Sequence, residues 1–130
     1  MITIDANFYP VLIVDDDIID RMSLERWCSK KHIPFKIAQN GMEAMQLINS
    51  EQFSLVFSDI DMPHFSGLDL VHAIRKNEVY TQKHLPIIAI SGNEIFGLGN
   101  NYQQHGFDSF IPKPPKPEQL EIAFLQALDK

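Results

Sequence analysis

The chain has 130 residues, with 17 acidic and 11 basic side chains, a net charge of −6 and a single cysteine, Cys28. That length suits one domain, able to bury roughly two-thirds of its unfolded surface without disulfide staples, and a lone cysteine fits a reducing, cytosolic compartment. The acidic balance argues against nucleic acid or an anionic membrane as the main partner, and no apolar run approaches the roughly 20 residues of a membrane helix.

The opening MITIDANFYP has neither a basic start nor a long apolar run, so it is no signal peptide. Residues 1–7 read as an N-terminal extension and 8–130 as the domain. Val11–Val14 is short and apolar, a first strand, and runs without a break into Asp15, Asp16 and Asp17. Ile18–Lys30 is a poorer helical segment, its apolar residues spread around more than one face. Phe35–Ala38 makes a second strand. Asn40 then stands three residues before Glu43, as a capping box requires, and Ala44, Leu47 and Ile48 share a helical face. Leu55–Ser58 is a third strand ending in Asp59; Ser66 and Asp69 repeat the capping spacing ahead of a stripe of Leu70, Val71 and Ile74. Ile87–Ser91 is a fourth strand. Ile95–Gln104, with Gly97 and Gly99 inside it, is expected to give a short or mobile fourth helix. Ser109–Ile111 is a fifth strand, and PKPPKP (Pro112–Pro117) a stiff extended turn. Pro117 suits the first turn of a last helix striped by Leu120, Phe124, Ala127 and Leu128.

Short continuous apolar runs suit strands buried on both faces. Five of them alternating with five helices imply an α/β sandwich with a parallel, doubly wound sheet and right-handed crossovers. In such sheets the crevice lies beyond the carboxyl ends of the strands, where strand order reverses. Polar residues recur at those ends: Asp15 and Asp16 after the first strand, Asp59 after the third, Ser91 at the fourth and Lys113 after the fifth. Close carboxylates disfavour one another's ionisation unless a cation sits among them. Hard oxygen ligands select Mg²⁺ or Ca²⁺, and Mg²⁺ takes one or two carboxylates, waters and a phosphate oxygen. A carboxylate can also attack phosphorus and form an aspartyl phosphate. Ser91 and Lys113 could then hold the remaining phosphoryl oxygens.

Taken together, VLIVDDD, SDIDMPHFSGLDL, LPIIAISG and FIPKP, in that order and spacing, resemble the receiver domains of two-component response regulators from Val11 to about Leu128. The resemblance implies a flavodoxin-like (βα)5 fold with strand order 2-1-3-4-5. It implies that Asp59 accepts phosphate from a phosphohistidine. It makes Asp15 and Asp16 the acidic pair for Mg²⁺, with Asp16 the direct ligand, and adds the backbone carbonyl of Asp61 as a third protein ligand. Ser91 matches the switch hydroxyl, Lys113 the lysine, Gly67 the glycine opening the third helix and Phe110 the switch aromatic. In the family, the hydroxyl moves toward the phosphoryl group, the aromatic turns inward, and the face of fourth helix, fifth strand and fifth helix is remodelled. The expected partners are a histidine kinase or histidine phosphotransfer protein and a downstream effector, with a homodimer through that same face allowed. No direct nucleic-acid or membrane contact is expected, and no enzymatic turnover beyond self-phosphorylation and slow autodephosphorylation. Gly92 stands where the family often has Ala, and Phe110 lacks the phenol oxygen of the Tyr common there, so its coupling acts through packing. Asp61 and Asn93 occupy positions that tune autodephosphorylation, and Lys113–Pro114 is a candidate cis bond. The receiver fills essentially the whole chain, so the expectation is a stand-alone regulator or relay protein, with Met1 leaning that way, or a receiver cut from a longer one.

Taken singly, these residues have plainer readings: Asp17 as an N-cap, Asp15 and Asp16 as a solvated turn, Asp61 as a loop carboxylate, Ser91 as a strand cap, Lys113 as surface charge. Trp27 and Cys28 read as packing residues, and Met62–Pro63 as shaping the loop. His32, His64, His72, His84 and His105 show no metal-ligand spacing. Two other functions compete. A haloacid-dehalogenase-like phosphatase would use Asp59 and Asp61 as nucleophile and acid/base, but Pro63 stands where that family has Thr or Val, and Asp15–Asp16 go unexplained. A pseudo-receiver acting only as a binding module would not need the complete acidic set.

Overall fold

The computed structural model describes residues 8–62, 65–81, 83–92 and 99–128. The strands are β1 Val11–Val14, β2 Phe35–Ala38, β3 Leu55–Asp59, β4 Ile87–Ser91 and β5 Ser109–Pro112. The α-helices are α1 Ile18–Lys30, α2 Gly41–Ser50, α3 Gly67–Thr81 and α4 Pro117–Leu128. The fourth crossover differs from the expected α-helix. Its described part is a 3₁₀ helix over Gly99–His105; the remainder, 93–98, lies outside the described residues, as do 1–7, Pro63 and His64.

All strands are parallel, in the order β2-β1-β3-β4-β5. β1, β3 and β4 are buried at every residue, as central strands covered by helices on both faces must be. The edge strands β2 and β5 are only half-buried, so the expectation of burial on both faces holds for the three inner strands alone. Successive side chains point to opposite faces. Val11, Ile13, Leu55 and Phe57 therefore join α1 and α4 in one core layer, and Leu12, Val14 and Val56 join α2 and α3 in the other. In the first layer Trp27 lies edge-on to both Phe57 and Phe124, at centroid distances of 6.2 and 5.6 Å.

The helices start where capping chemistry places them. Asp17 caps α1 by accepting from the N–H groups of Ile19 and Asp20 at 2.8 and 3.3 Å. Asn40 accepts from the N–H of Glu43 at 2.8 Å; the return bond from Glu43 goes to the N–H of Gln39, one residue earlier than a standard box. Ser66 and Asp69 make the full reciprocal pair. Pro117 opens α4. At the amino-terminal pole of the sheet, Arg75 of α3 forms a clasp. Its guanidinium donates to the carbonyls of Gly106 and Leu85 at 2.8 and 2.7 Å, and to Glu78 and Asp108 at 2.6 and 2.8 Å. Asp108 also accepts from the N–H of Ile87 and contacts His84. This network fastens the starts of β4 and β5 to the end of α3.

Candidate functional site

The opposite pole carries the expected residues. β1 delivers Asp15 at its carboxyl end, and the N–H of Asp15 continues the pairing with Ala38 O at 3.1 Å. The Asp15 side chain is buried and its Oδ1 accepts from the N–H of Asp17 at 3.0 Å. Arg21, one turn into α1, donates to the Asp15 carbonyl at 3.2 Å. β3 ends in Asp59, 4% exposed. The N–H of Ile60 bonds Ile90 O at 3.3 Å, and the N–H of Asp61 donates to Asp59 Oδ1 at 3.1 Å. Gly67 packs so closely on this turn that a Cβ would lie 2.6 Å from Ile60 Cα, and its N–H bonds Ile60 O at 3.1 Å. Ser91 is buried at the end of β4, and its carbonyl accepts from the N–H of Lys113 at 2.9 Å. That bond sets the start of the lysine side chain beside the crevice. The Lys113–Pro114 bond is cis, as expected.

Carboxylate oxygens of Asp15, Asp16 and Asp59 all lie within 4.8 Å of one another. Asp61 is exposed and adds no carboxylate to this trio. The Lys113 ammonium bridges the pocket, 3.3 Å from Asp59 Oδ1 and 3.4 Å from Asp15 Oδ2. Its shortest contact, 2.8 Å, goes to Oδ2 of Asp20 in the first turn of α1. Burial and then the Asp15 charge push the Asp59 carboxyl up to about 6, against the pull of the Asp61 N–H and Lys113. Burial likewise raises Asp15, opposed by the Asp17 N–H and Lys113. For Lys113, burial works downward but is outweighed by the hydrogen bond to Asp20 and the charges of Asp59 and Asp15, so the ammonium stays charged.

The pocket thus clusters more carboxylates than its one ammonium neutralises, which is the condition that favours a divalent cation. The donors are hard oxygens, two of them buried and aimed by backbone N–H groups. Asp15, Asp16 and Asp59 therefore fit a hard divalent cation such as Mg²⁺.

Phe110 on β5 is half-buried and stacks on Tyr102 of the 3₁₀ helix, ring centroids 6.2 Å apart. Asn93 lies outside the described residues. Cys28 is buried in the core and its thiol is pushed up to about 12, first by burial and then by Glu25, so it is no nucleophile at neutral pH. Among the described histidines, His84 belongs to the Arg75 clasp and His72 faces His105; none reaches the acidic pocket. Asp20 is the pocket residue that motif reading passed over. The available signal was its place in the first turn of α1, directly after the strand end that carries Asp15 and Asp16.

Residues 11–125 match the family described as the response regulator receiver domain. Among curated proteins, the chain is 32% identical over 114 residues to the 3',5'-cyclic-nucleotide phosphodiesterase regA of Dictyostelium discoideum, covering 85% of this chain and 14% of that protein. It is 33% identical over 118 residues to the response regulator MprA of Mycolicibacterium vanbaalenii, covering 91% and 49% respectively. The chain therefore spans no more than about half the length of these relatives. Among solved structures, the chemotaxis protein CheY4 of Vibrio cholerae superposes with a TM-score of 0.81 at 25% identity, over 93% of this chain and 99% of that one.

Proposed function

The chain belongs to the response regulator receiver family, and from that premise we propose that Asp59 is its phosphoacceptor, taking the phosphoryl group from a phosphohistidine of a histidine kinase or phosphotransfer protein. The observation that carries this is the contact between Lys113 Nζ and Asp59 Oδ1, 3.3 Å, inside the trio of converging carboxylates. The bond from Asp61 N–H to the same oxygen fixes the carboxylate plane. A carboxylate oxygen of Asp59 attacks phosphorus as the P–N bond to the donor imidazole breaks; the imidazole leaves with the electron pair. Lys113 offers its charge to the phosphoryl oxygens, and the Ser91 hydroxyl offers a hydrogen bond. Asp15, Asp16 and Asp59, with the Asp61 carbonyl, would hold Mg²⁺, which supplies charge neutralisation for the arriving phosphoryl group.

Ser91 and Phe110 are proposed as the switch pair. Phe110 can pass a change at the pocket onward only through packing, and its stack on Tyr102 supplies the surface for that. The readout face is the one built from the 3₁₀ helix, β5 and α4, where exposed Ile122 lies beside Phe110 and Ile111 of β5. A downstream effector, or a second copy of the chain, would dock there. No helix among the described residues is long and apolar enough to cross a membrane, and the proposed working place is the cytoplasm. Family membership does not favour the dehalogenase-like phosphatase, and the complete set of Asp15, Asp16, Asp59, Ser91 and Lys113 weighs against a pseudo-receiver.

The test is labelling by a phosphohistidine donor and by a small acyl phosphate. Label is expected on the wild type with Mg²⁺, and lost with EDTA or in Asp59→Ala. Labelling that persists in Asp59→Ala would place the acceptor elsewhere.

A further inference from the structure

Resting on that reading, we propose that Asp20 is a positioning residue that holds the Lys113 ammonium in the unphosphorylated protein and competes for it with the incoming phosphoryl group. Asp20 sits 93 positions from Lys113 in sequence, yet makes the lysine's shortest contact, 2.8 Å against 3.3 Å to Asp59 and 3.4 Å to Asp15. A plainer account treats Asp20 as an acidic residue in the first turn of α1, complementing the helix dipole. That role needs no partner across the pocket, and the directed bond to Lys113 is left without a reason.

The geometry makes Asp20 the acceptor that gives way. An ammonium has three donors, and Lys113 meets three carboxylates. A phosphoryl group on Asp59 brings further strong acceptors and another negative charge to the same place. The phosphoryl oxygens then compete with the three carboxylates for the ammonium's donors. Asp59 carries the phosphoryl group and stays within reach. Asp15 is buried, held by the Asp17 N–H, and one of the metal-binding trio. Asp20 is outside that trio, and its side chain is 40% exposed, so it can turn to water at small cost. Phosphorylation thus draws Lys113 away from Asp20, the most exposed of the three partners, and the resting state is favoured by the strength of that bond. The residue acts through Lys113 and touches neither the metal trio nor phosphorus.

The experiment measures beryllofluoride affinity at saturating Mg²⁺ by calorimetry for wild type, Asp20→Asn and Asp20→Glu, with thermal melts to confirm folding. Asp20→Asn keeps the shape and removes the charge. It is expected to bind beryllofluoride about three- to tenfold tighter, the scale of one partly exposed charge-assisted bond. Asp20→Glu is expected to stay within about twofold of wild type, because it restores the charge that competes for the ammonium. Affinity for Mg²⁺ alone should not tighten in Asp20→Asn, since only the lysine is released. A merely structural role would weaken binding rather than tighten it, and Asp20→Ser, with the same expected gain, replaces Asp20→Asn should the latter melt early. Unchanged or weaker beryllofluoride binding in the charge-removing variants overturns the inference. A wild type that binds no beryllofluoride in Mg²⁺ is a different outcome: it refutes the phosphoacceptor reading and this inference with it.

Discussion

Two glycines near the pocket make opposite demands. Gly67 is wedged against the backbone of Asp59 and Ile60, where an added Cβ meets atoms that cannot rotate away. Gly67→Ala is expected to cost about 1–3 kcal/mol through forced backbone displacement and to weaken Mg²⁺ binding, because the displaced turn is the one that aims Asp59. Gly92 has room: among the described residues, a Cβ there would touch only the Lys113 stem, at 3.7 and 3.9 Å. Gly92→Ala should fold and gain about 0.4–1 kcal/mol by restricting the unfolded chain. Urea denaturation of both variants checks the pair; a Gly67→Ala protein as stable as wild type would show that the turn yields. At this scale the site was legible wherever a side chain stood at the end of a strand, because a period-two strand aims its last residues into the crevice. Asp20 was not, because its position depends on how α1 lies across the sheet, and its acidity in a first helical turn already had an ordinary explanation.

Elements were readable in proportion to their local signals. The three inner strands are continuous apolar runs and the capped helices carry their own start marks. α1 was the weaker case for a visible reason: Leu24, Trp27 and Cys28 are buried, while Ile18, Ile19 and Met22 are exposed, so its apolar residues do not form one stripe. The fourth crossover has no stripe either, and Gly97 and Gly99 lower its helical preference; its described part is the tighter 3₁₀ form. What ties that crossover down is long-range and could not be read locally. Arg75 reaches from α3 to Gly106 and Asp108, beyond β4. Its guanidinium is mostly buried, at 19% exposure, beside two largely buried carboxylates. Arg75→Met would strand those carboxylates and two carbonyls, at an expected cost of about 2–4 kcal/mol. Because the clasp lies at the other pole, beryllofluoride binding should survive at temperatures where the variant is folded. Loss of that binding in a folded Arg75→Met protein would show the poles to be coupled.

For the whole molecule, an acidic pocket built into the end of the sheet trades stability for readiness to bind a cation. The Asp59 carboxyl titrates at about 6 in the fold against an ordinary 3.8, so the folded state holds a proton that the unfolded chain has lost between those values. The stability this group contributes is present below 3.8 and is lost as pH rises through about 6. A divalent cation at the proposed site would bind the ionised form, so its stabilising effect would run the other way. The melting-temperature difference between Mg²⁺ and EDTA samples is expected to be small at about pH 5 and larger at about pH 7.5; a difference independent of pH would remove Asp59 from the metal site. The overall architecture was the most legible level, since alternating strand and helix signals leave few parallel topologies open.

Trp27 is the chain's single tryptophan, enclosed between Phe57 and Phe124 with no hydrogen-bond partner for its indole N–H among the described residues. Trp27 is 4% exposed and belongs to the core layer that α1 and α4 build on the sheet. The protein thereby carries an intrinsic optical gauge of its own interior: blue-shifted emission reports an intact core, and a red shift marks collapse of the packing.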